Sequence, residues 1–326
     1  MIIPEGTSPE RMSSLTKPIS EAITQMMPES LFRFRKFNDN SLEAFKDGII
    51  YAVTADMFND PYDTLAKYDI EEIEAGINAF MRPETLEKLK QWLGQGNDLP
   101  DILKQALPLE LAESFRKAIL SIEDIGTVKE KILVFKRYLI SLIETFFPIL
   151  SEIGKKYSTI ACFCESIESI LMWSHYADSH KGFALEYNFR TTLVHPLKNI
   201  SIFPVIYGEE RVDISTYLGW MFLFTLGIRT VNLDISSSIK SALHKSSVWT
   251  YEQEWRLIDS SLRDINDTRP SAIPYEPVAI YYGSHMSQDN KLKLHEIALK
   301  KGIKEYEMYV DYSSPLYEMK YRAAFN

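Results

Sequence analysis

The 326-residue chain has ordinary apolar, charged and glycine content, enough length for a large core, and a net charge of -9. Holding nucleic acid by neutralising many phosphates needs a surplus of Lys and Arg, so the acidic balance speaks against an extended nucleic-acid-binding surface and leaves room only for a local basic pocket. The only cysteines, Cys162 and Cys164, fall on one face of a strand, where a bridge between them would be strained; they are read as reduced thiols.

Residues 1–30 are polar with scattered prolines and methionines and show no charged-then-apolar leader pattern, so they read as an N-terminal extension and the expected location is cytoplasmic. Leu31-Phe-Arg-Phe-Arg35 alternates as a strand does, Ser41–Lys46 reads as a short helix closed by Gly48, and Ile49–Thr54 as the next strand. Phe58-Asn-Asp-Pro-Tyr-Asp63 follows, a turn that Pro61 and its Asn and Asp residues hold out of regular structure. From about Tyr68 to Gly154 the pattern becomes helix after helix, broken at Pro83, Gly94–Pro100 and Pro108. Val128, Ile132, Phe135, Leu139, Leu142 and Phe146 form one apolar stripe in its last helix.

The mixed pattern resumes at Tyr157 with a strand through Phe163, a helix over Ile170–His175 and a strand over Gly182–Tyr187. Further strands are expected at Ser201–Tyr207, Glu254–Asp259, Pro277–Tyr282 and Glu305–Val310, with helices near Asp213–Leu226, Leu233–Leu243 and Gln288–Lys301. The apolar run Tyr217–Ile228 is well short of the ~20 residues that cross a bilayer, so no membrane partner is expected. Strands and helices do not alternate regularly; the fold class is α+β, a mixed, largely antiparallel sheet. The domain reading is a core of 31–67 and 155–326 interrupted by a helical insertion at 68–154.

Four segments carry side chains suited to chemistry. Arg33 and Arg35 share a strand face and could grip a phosphate or carboxylate, or could simply be solvated. In the turn, Asn59, Asp60 and Asp63 either hold the backbone or orient a ligand. In Met172-Trp-Ser-His-Tyr-Ala-Asp-Ser-His180, followed by Lys181-Gly182, a helix end capped near Gly182 is the first reading and a small-molecule pocket with Trp173, His175 and Tyr176 the second. A metal site of His175, Asp178 and His180, and hence a metal-dependent hydrolase, is the third. In the segment from Lys245 to Arg256, Glu252 and Glu254 would point to one side of a strand, flanked by Trp249, Tyr251 and Trp255. A carboxylate among rings can stabilise a developing cation, while Glu254 and Arg256 could instead pair across a neighbouring strand. Phosphate-loop, GxSxG, HExxH and zinc-type cysteine signatures are missing from the sequence.

Taken in order, LFRFR at 31–35, FNDPYD at 58–63, CFCE at 162–165, MWSHYADSHKG at 172–182 and WTYEQEWRL at 249–257 resemble an uncharacterised bacterial family, a domain of unknown function. A second and more distant resemblance is to ADP-ribosyltransferases, including the DarT-like toxins. It implies NAD as cosubstrate and an acceptor that is protein or nucleic acid. It gives Arg33 or Arg35 a cofactor contact, Glu254 the transition-state carboxylate and Glu252 a role in positioning the acceptor. Ser166 stands near the expected middle-strand serine, and Asn59, Asp60, Asp63, Trp173, His175, Tyr176, Lys245, Tyr251 and Arg256 would line the nucleotide. A toxin or defence effector is the implied setting. The alternative is a non-enzymatic module that senses a nucleotide-like ligand or binds a partner through the same side chains.

Overall fold

Strand β1 (Leu31–Arg35) and helix α1 (Asp39–Asp47) form where the alternation and capping signals place them. The Asn38 side chain accepts from Ser41 N at 2.9 Å, and Gly48 closes the helix in the left-handed conformation that its missing Cβ allows. Strand β2 (Ile49–Thr54) follows directly. The computed structural model describes residues 21–80, 83–96, 143–190, 200–218, 240–261 and 264–325, apart from single positions within those ranges, together with isolated residues between 117 and 141. The apolar stripe Val128–Phe146, most of the run Tyr217–Ile228 and most of the helices expected at 213–226 and 233–243 lie outside the described residues.

The chain forms two compact units, one drawn from Leu65–Gly154 and Arg211–Ala242, the other from Glu10–Thr64, Lys155–Glu210 and Leu243–Asn326. The division therefore falls after Thr64, and the helical unit recruits a second stretch of chain beyond the single 68–154 insertion read from sequence. Within it, helices α2 (Ile70–Phe80) and α3 (Pro83–Gly94) bury Ile73 and Leu93. Lys67 N donates to Val212 O at 2.8 Å, Ile214 N returns a bond to Lys67 O at 3.0 Å, and Asp69 N donates to Ser215 Oγ at 2.7 Å, which ties the two stretches together.

The other unit is built on a mixed, mostly antiparallel sheet, so the chain is an α+β protein. Its remaining strands are β3 (Thr159–Cys164), β4 (Phe183–Tyr187), β5 (Ile200–Pro204), β6 (Ile206–Gly208), β7 (His244–Ser246), β8 (Glu254–Asp259), β9 (Ser271–Pro274), β10 (Ala279–Tyr282), β11 (Lys304–Val310) and β12 (Met319–Ala323). The order β12-β11-β10-β4-β1-β3-β2-β9 makes one path, with β8 beside β3 and β5 beside β8; only the β10–β11 pair in this sheet is parallel. The single strand expected over Ser201–Tyr207 is split. Val205 N still donates in register to Glu254 O at 2.8 Å, but Glu254 N turns to the Tyr207 hydroxyl at 2.8 Å instead of returning the bond, and β6 pairs with β7.

One edge of β3 is shared. Near its end β3 meets β1 at the single pair Phe32↔Cys164, near its start it meets β2 at Val53↔Ile160 and Thr54↔Thr159, and β8 runs along its whole opposite edge. The sheet is thus forked between β1 and β2. Cross-strand partners share a face, so Phe32, Cys164 and Glu254 lie on one side with Cys162 and Arg256, while Phe163 and Trp255 lie on the other. The Trp255 side packs Phe163, Phe183, Leu185, Leu257, Ile280 and Tyr282 against Phe45 of α1 and against Leu294 and Ala298 of α5 (Gln288–Lys301). The Glu254 side packs Phe32, Phe34, Ala184 and Tyr281 against Met172 and Trp173 of α4 (Ile170–Tyr176). Among the described residues no helix is long and apolar enough to cross a membrane.

Candidate functional site

The segment before β8 determines the site's geometry. Ser247–Glu252 is a 3-10 helix rather than the strand expected from spacing, and Gln253 leaves it in the left-handed conformation, φ 42°, with its N–H bonded to Thr250 O at 3.1 Å. That turn costs a non-glycine residue about 1–2 kcal/mol. Both acids reach Lys245, but by a kink instead of strand alternation: Lys245 Nζ donates to Glu252 Oε2 at 2.5 Å and to Glu254 Oε2 at 3.0 Å.

Alternation on β8 places Arg256 beside Glu254. Its Nε and Nη2 donate to that carboxylate at 2.8 and 3.2 Å, and its Nη1 and Nη2 grip both oxygens of Asp63 at 2.8 and 2.7 Å. Asp63 arrives from the end of the 58–63 turn, where Asp60 Oδ1 accepts from Tyr62 N at 2.8 Å. Lys245 Nζ is also 3.6 Å from Asp63. The Phe58 ring lies 5.5 Å from the Arg256 guanidinium, and the Trp249 ring 5.1 Å from the Lys245 ammonium. Three carboxylates thus face two cations in a buried cluster, and Arg256 is 0% exposed.

The two glutamates differ in what they have left to offer. Burial alone would raise the Glu254 carboxyl, but Arg256 and then Lys245 overcome it and hold the group at about 2. Its oxygens accept from Arg256 twice and from Lys245, with the Cys162 thiol alongside, so little of their capacity is left. Glu252 accepts one bond on each oxygen, from Lys245 and from the Tyr176 hydroxyl at 2.6 Å, so lone pairs remain on both. For Glu252 burial outweighs Lys245, and its carboxyl lies above the usual range. Burial would by itself lower Lys245, but Glu254, Glu252 and Asp63 hold its ammonium above its ordinary value.

Toward the surface, the Asn59 side chain hydrogen-bonds the Tyr176 hydroxyl, whose pKa burial and then Glu252 push up. Exposed His175 bonds Tyr251 Oη through Nδ1 at 3.2 Å. Asn59, Tyr176, His175, Tyr251 and Trp249 form a polar and aromatic rim leading to Glu252. Tyr207, whose hydroxyl accepts from Glu254 N at 2.8 Å, and Cys162 belong to the cluster but carry no local sequence signal that points there.

Several sequence expectations are corrected by position. Trp173 is 0% exposed, donates to Ile167 O at 2.7 Å and meets Phe34 edge-on at 5.1 Å, so it packs the core and offers no stacking face to a ligand. Trp255 faces the far side of the sheet and bonds Glu165 at 2.6 Å. Ser166 Oγ accepts from Glu168 N at 3.2 Å and its carbonyl from the Cys164 thiol, which makes it a turn residue outside the cluster. Arg33 and Arg35, by register, stand on the face opposite Glu254 and do not join it. Asp178, Ser179 and His180 are three successive left-handed residues. They turn the His180 ring back onto Trp173, where Nε2 meets Ser174 Oγ at 3.1 Å, while His175 goes to Tyr251. Among the described residues no group of three or more His, Cys, Asp or Glu side chains could hold a metal ion, which removes the hydrolase reading's ligand set. Gly182 is not a helix stop. It opens β4 where a Cβ would lie 2.1 Å from Arg35 O.

Residues 172–257 match a family described as Protein of unknown function (DUF2971). The matched segment contains Tyr176, Lys245, Glu252, Glu254 and Arg256, so four of the five clustered charges come from it and Asp63 comes from outside. The resemblance to an uncharacterised family holds over this segment, and the family's description assigns no activity. No curated protein and no solved structure matches the chain.

Proposed function

We propose that the chain is an ADP-ribosyltransferase-like enzyme that breaks the nicotinamide–ribose bond of NAD and passes the ribosyl group to a protein or nucleic-acid acceptor. One observation carries the reading: three buried carboxylates face two cations, and of the two glutamates Glu252 is the one with more acceptor capacity left, beside the aromatic rim. When the C–N bond breaks, its electron pair leaves on the nicotinamide nitrogen, positive charge grows on the ribose, and a preorganised carboxylate lowers that barrier. Glu252 is the group for this role. Glu254, spent on Arg256 and Lys245, positions it, and Tyr176, Tyr251 and Trp249 supply surface for the nicotinamide or adenine ring.

A second reading, a nucleotide-sensing or partner-binding module without chemistry, is favoured by the fact that both cations already have acid partners inside the protein. Nicotinamide release from NAD, with cell lysate supplying acceptors, separates the two. The expected result is turnover by wild type that falls by at least about 100-fold in a folded Glu252→Gln variant. Folded wild type that neither binds NAD nor releases nicotinamide would overturn the enzyme reading in favour of the module.

A further inference from the structure

On the face of the sheet away from the carboxylate cluster, the fork between β1 and β2 contains two guanidiniums and, among the described residues, no acid paired with them. Arg33 is 9% exposed, and its Nη2 spans the fork to donate to Tyr51 O on β2 at 2.6 Å. Its Nη1 is buried without a hydrogen-bond partner. The guanidinium lies 5.6 Å from the Phe163 ring, which supplies a wall rather than a counter-charge. Arg35, two residues on and on the same face, is half-buried. Among the described residues neither arginine pairs with a carboxylate.

A buried cation without a partner is costly, and two like charges on one strand face add repulsion. Burial first and then Arg35 lower the Arg33 pKa to about 9, and burial lowers Arg35 as well. The nearby groups that could ionise to relieve them, the Tyr187 phenol and the Cys162 thiol, are themselves pushed up by burial and stay neutral near pH 7. An entering oxyanion would take the free Nη1 donor of Arg33, the donors of Arg35 and the charge of both.

We propose that this fork is a binding site for a phosphate-type oxyanion, held by forked hydrogen bonds from Arg33 and Arg35 on the sheet face opposite Glu252 and Glu254. It is independent of the proposed chemistry, since it uses no residue of the cluster. The source is free phosphate or the phosphate of a nucleotide.

The test is calorimetric titration of the full chain in phosphate-free buffer at constant ionic strength, with inorganic phosphate in one arm and adenosine monophosphate in the other. Saturable binding by wild type, weakened by at least about tenfold in Arg35→Gln and in Arg33→Met but unchanged in Arg269→Gln, is the expected result. Arg269 is an exposed arginine, so its variant removes the same charge from the surface. Tighter binding of the mononucleotide, lost in the same variants, assigns the site to nucleotide phosphate; equal or weaker binding assigns it to free phosphate. Failure of folded wild type to bind either anion overturns the proposal, as does an equal loss in Arg269→Gln. Arg35 is half-buried, so Arg35→Gln keeps the test decisive should Arg33→Met fail to fold.

Discussion

Replacing Glu254 with Gln keeps the side chain's shape and removes its charge, and the structure sets the size of the effect. The carboxylate accepts from Arg256 at 2.8 and 3.2 Å and from Lys245 at 3.0 Å, all buried. Without it, the Arg256 charge rests on Asp63 and the Lys245 charge on Glu252. Breaking a buried pair from one side costs about 3–5 kcal/mol. Linkage gives a similar figure. A carboxyl held at about 2 against an ordinary 4.5 contributes roughly 3 kcal/mol, and either figure is a large share of the 5–15 kcal/mol typical of a folded domain. The folded-state pKa is depressed, so this contribution is fully present above the ordinary carboxylate range and is lost as pH falls from 4.5 toward about 2. Urea denaturation followed by tryptophan fluorescence should show Glu254→Gln less stable by about 3 kcal/mol at pH 7, with the gap narrowing at pH 3. A variant as stable as wild type at both pH values, yet inactive, would refute the positioning role and return Glu254 to direct contact with substrate.

Trp173→Ala should destabilise the fold by about 3–5 kcal/mol in the same assay because it empties the core between α4 and β1; a loss of ligand affinity without a loss of stability would contradict that placement. Gly182→Ala puts a methyl group 2.1 Å from Arg35 O and 2.9 Å from Ala177 O, both backbone, and should cost about 1–3 kcal/mol or more by urea denaturation. Burial pushes the Cys162 thiol up and the Cys164 thiol up to about 12. Iodoacetamide at pH 8 should therefore leave both unmodified in the native protein and alkylate both in urea, as read by mass spectrometry.

Where a residue's own neighbours in the chain decide its conformation, the sequence was sufficient. Alternation and capping residues located β1, α1, β2, β8 and α5, and the Asn, Asp and Pro residues of 58–63 marked a turn. The three-residue β7 and four-residue β9 are too short to show a period, whereas in β12 Met319, Tyr321 and Ala323 alternate with Lys320 and Arg322, a period-two pattern that the sequence did carry. Lys245, Asp63, Glu252, Glu254 and Arg256 were all legible as candidates, but their convergence was not. It depends on a left-handed Gln253 and on a turn nearly two hundred residues away in sequence from Arg256. The faces of the sheet were equally out of reach. Alternation tells which residues of one strand point together, but only the pairing of β1 with β3 and of β3 with β8 puts Arg33 and Arg35 on one side and Glu254 on the other. Local sequence thus determined this protein's elements and its chemically able residues. Tertiary structure decided which of them meet, because register and burial are set by contacts between segments that a single strand or turn does not contain.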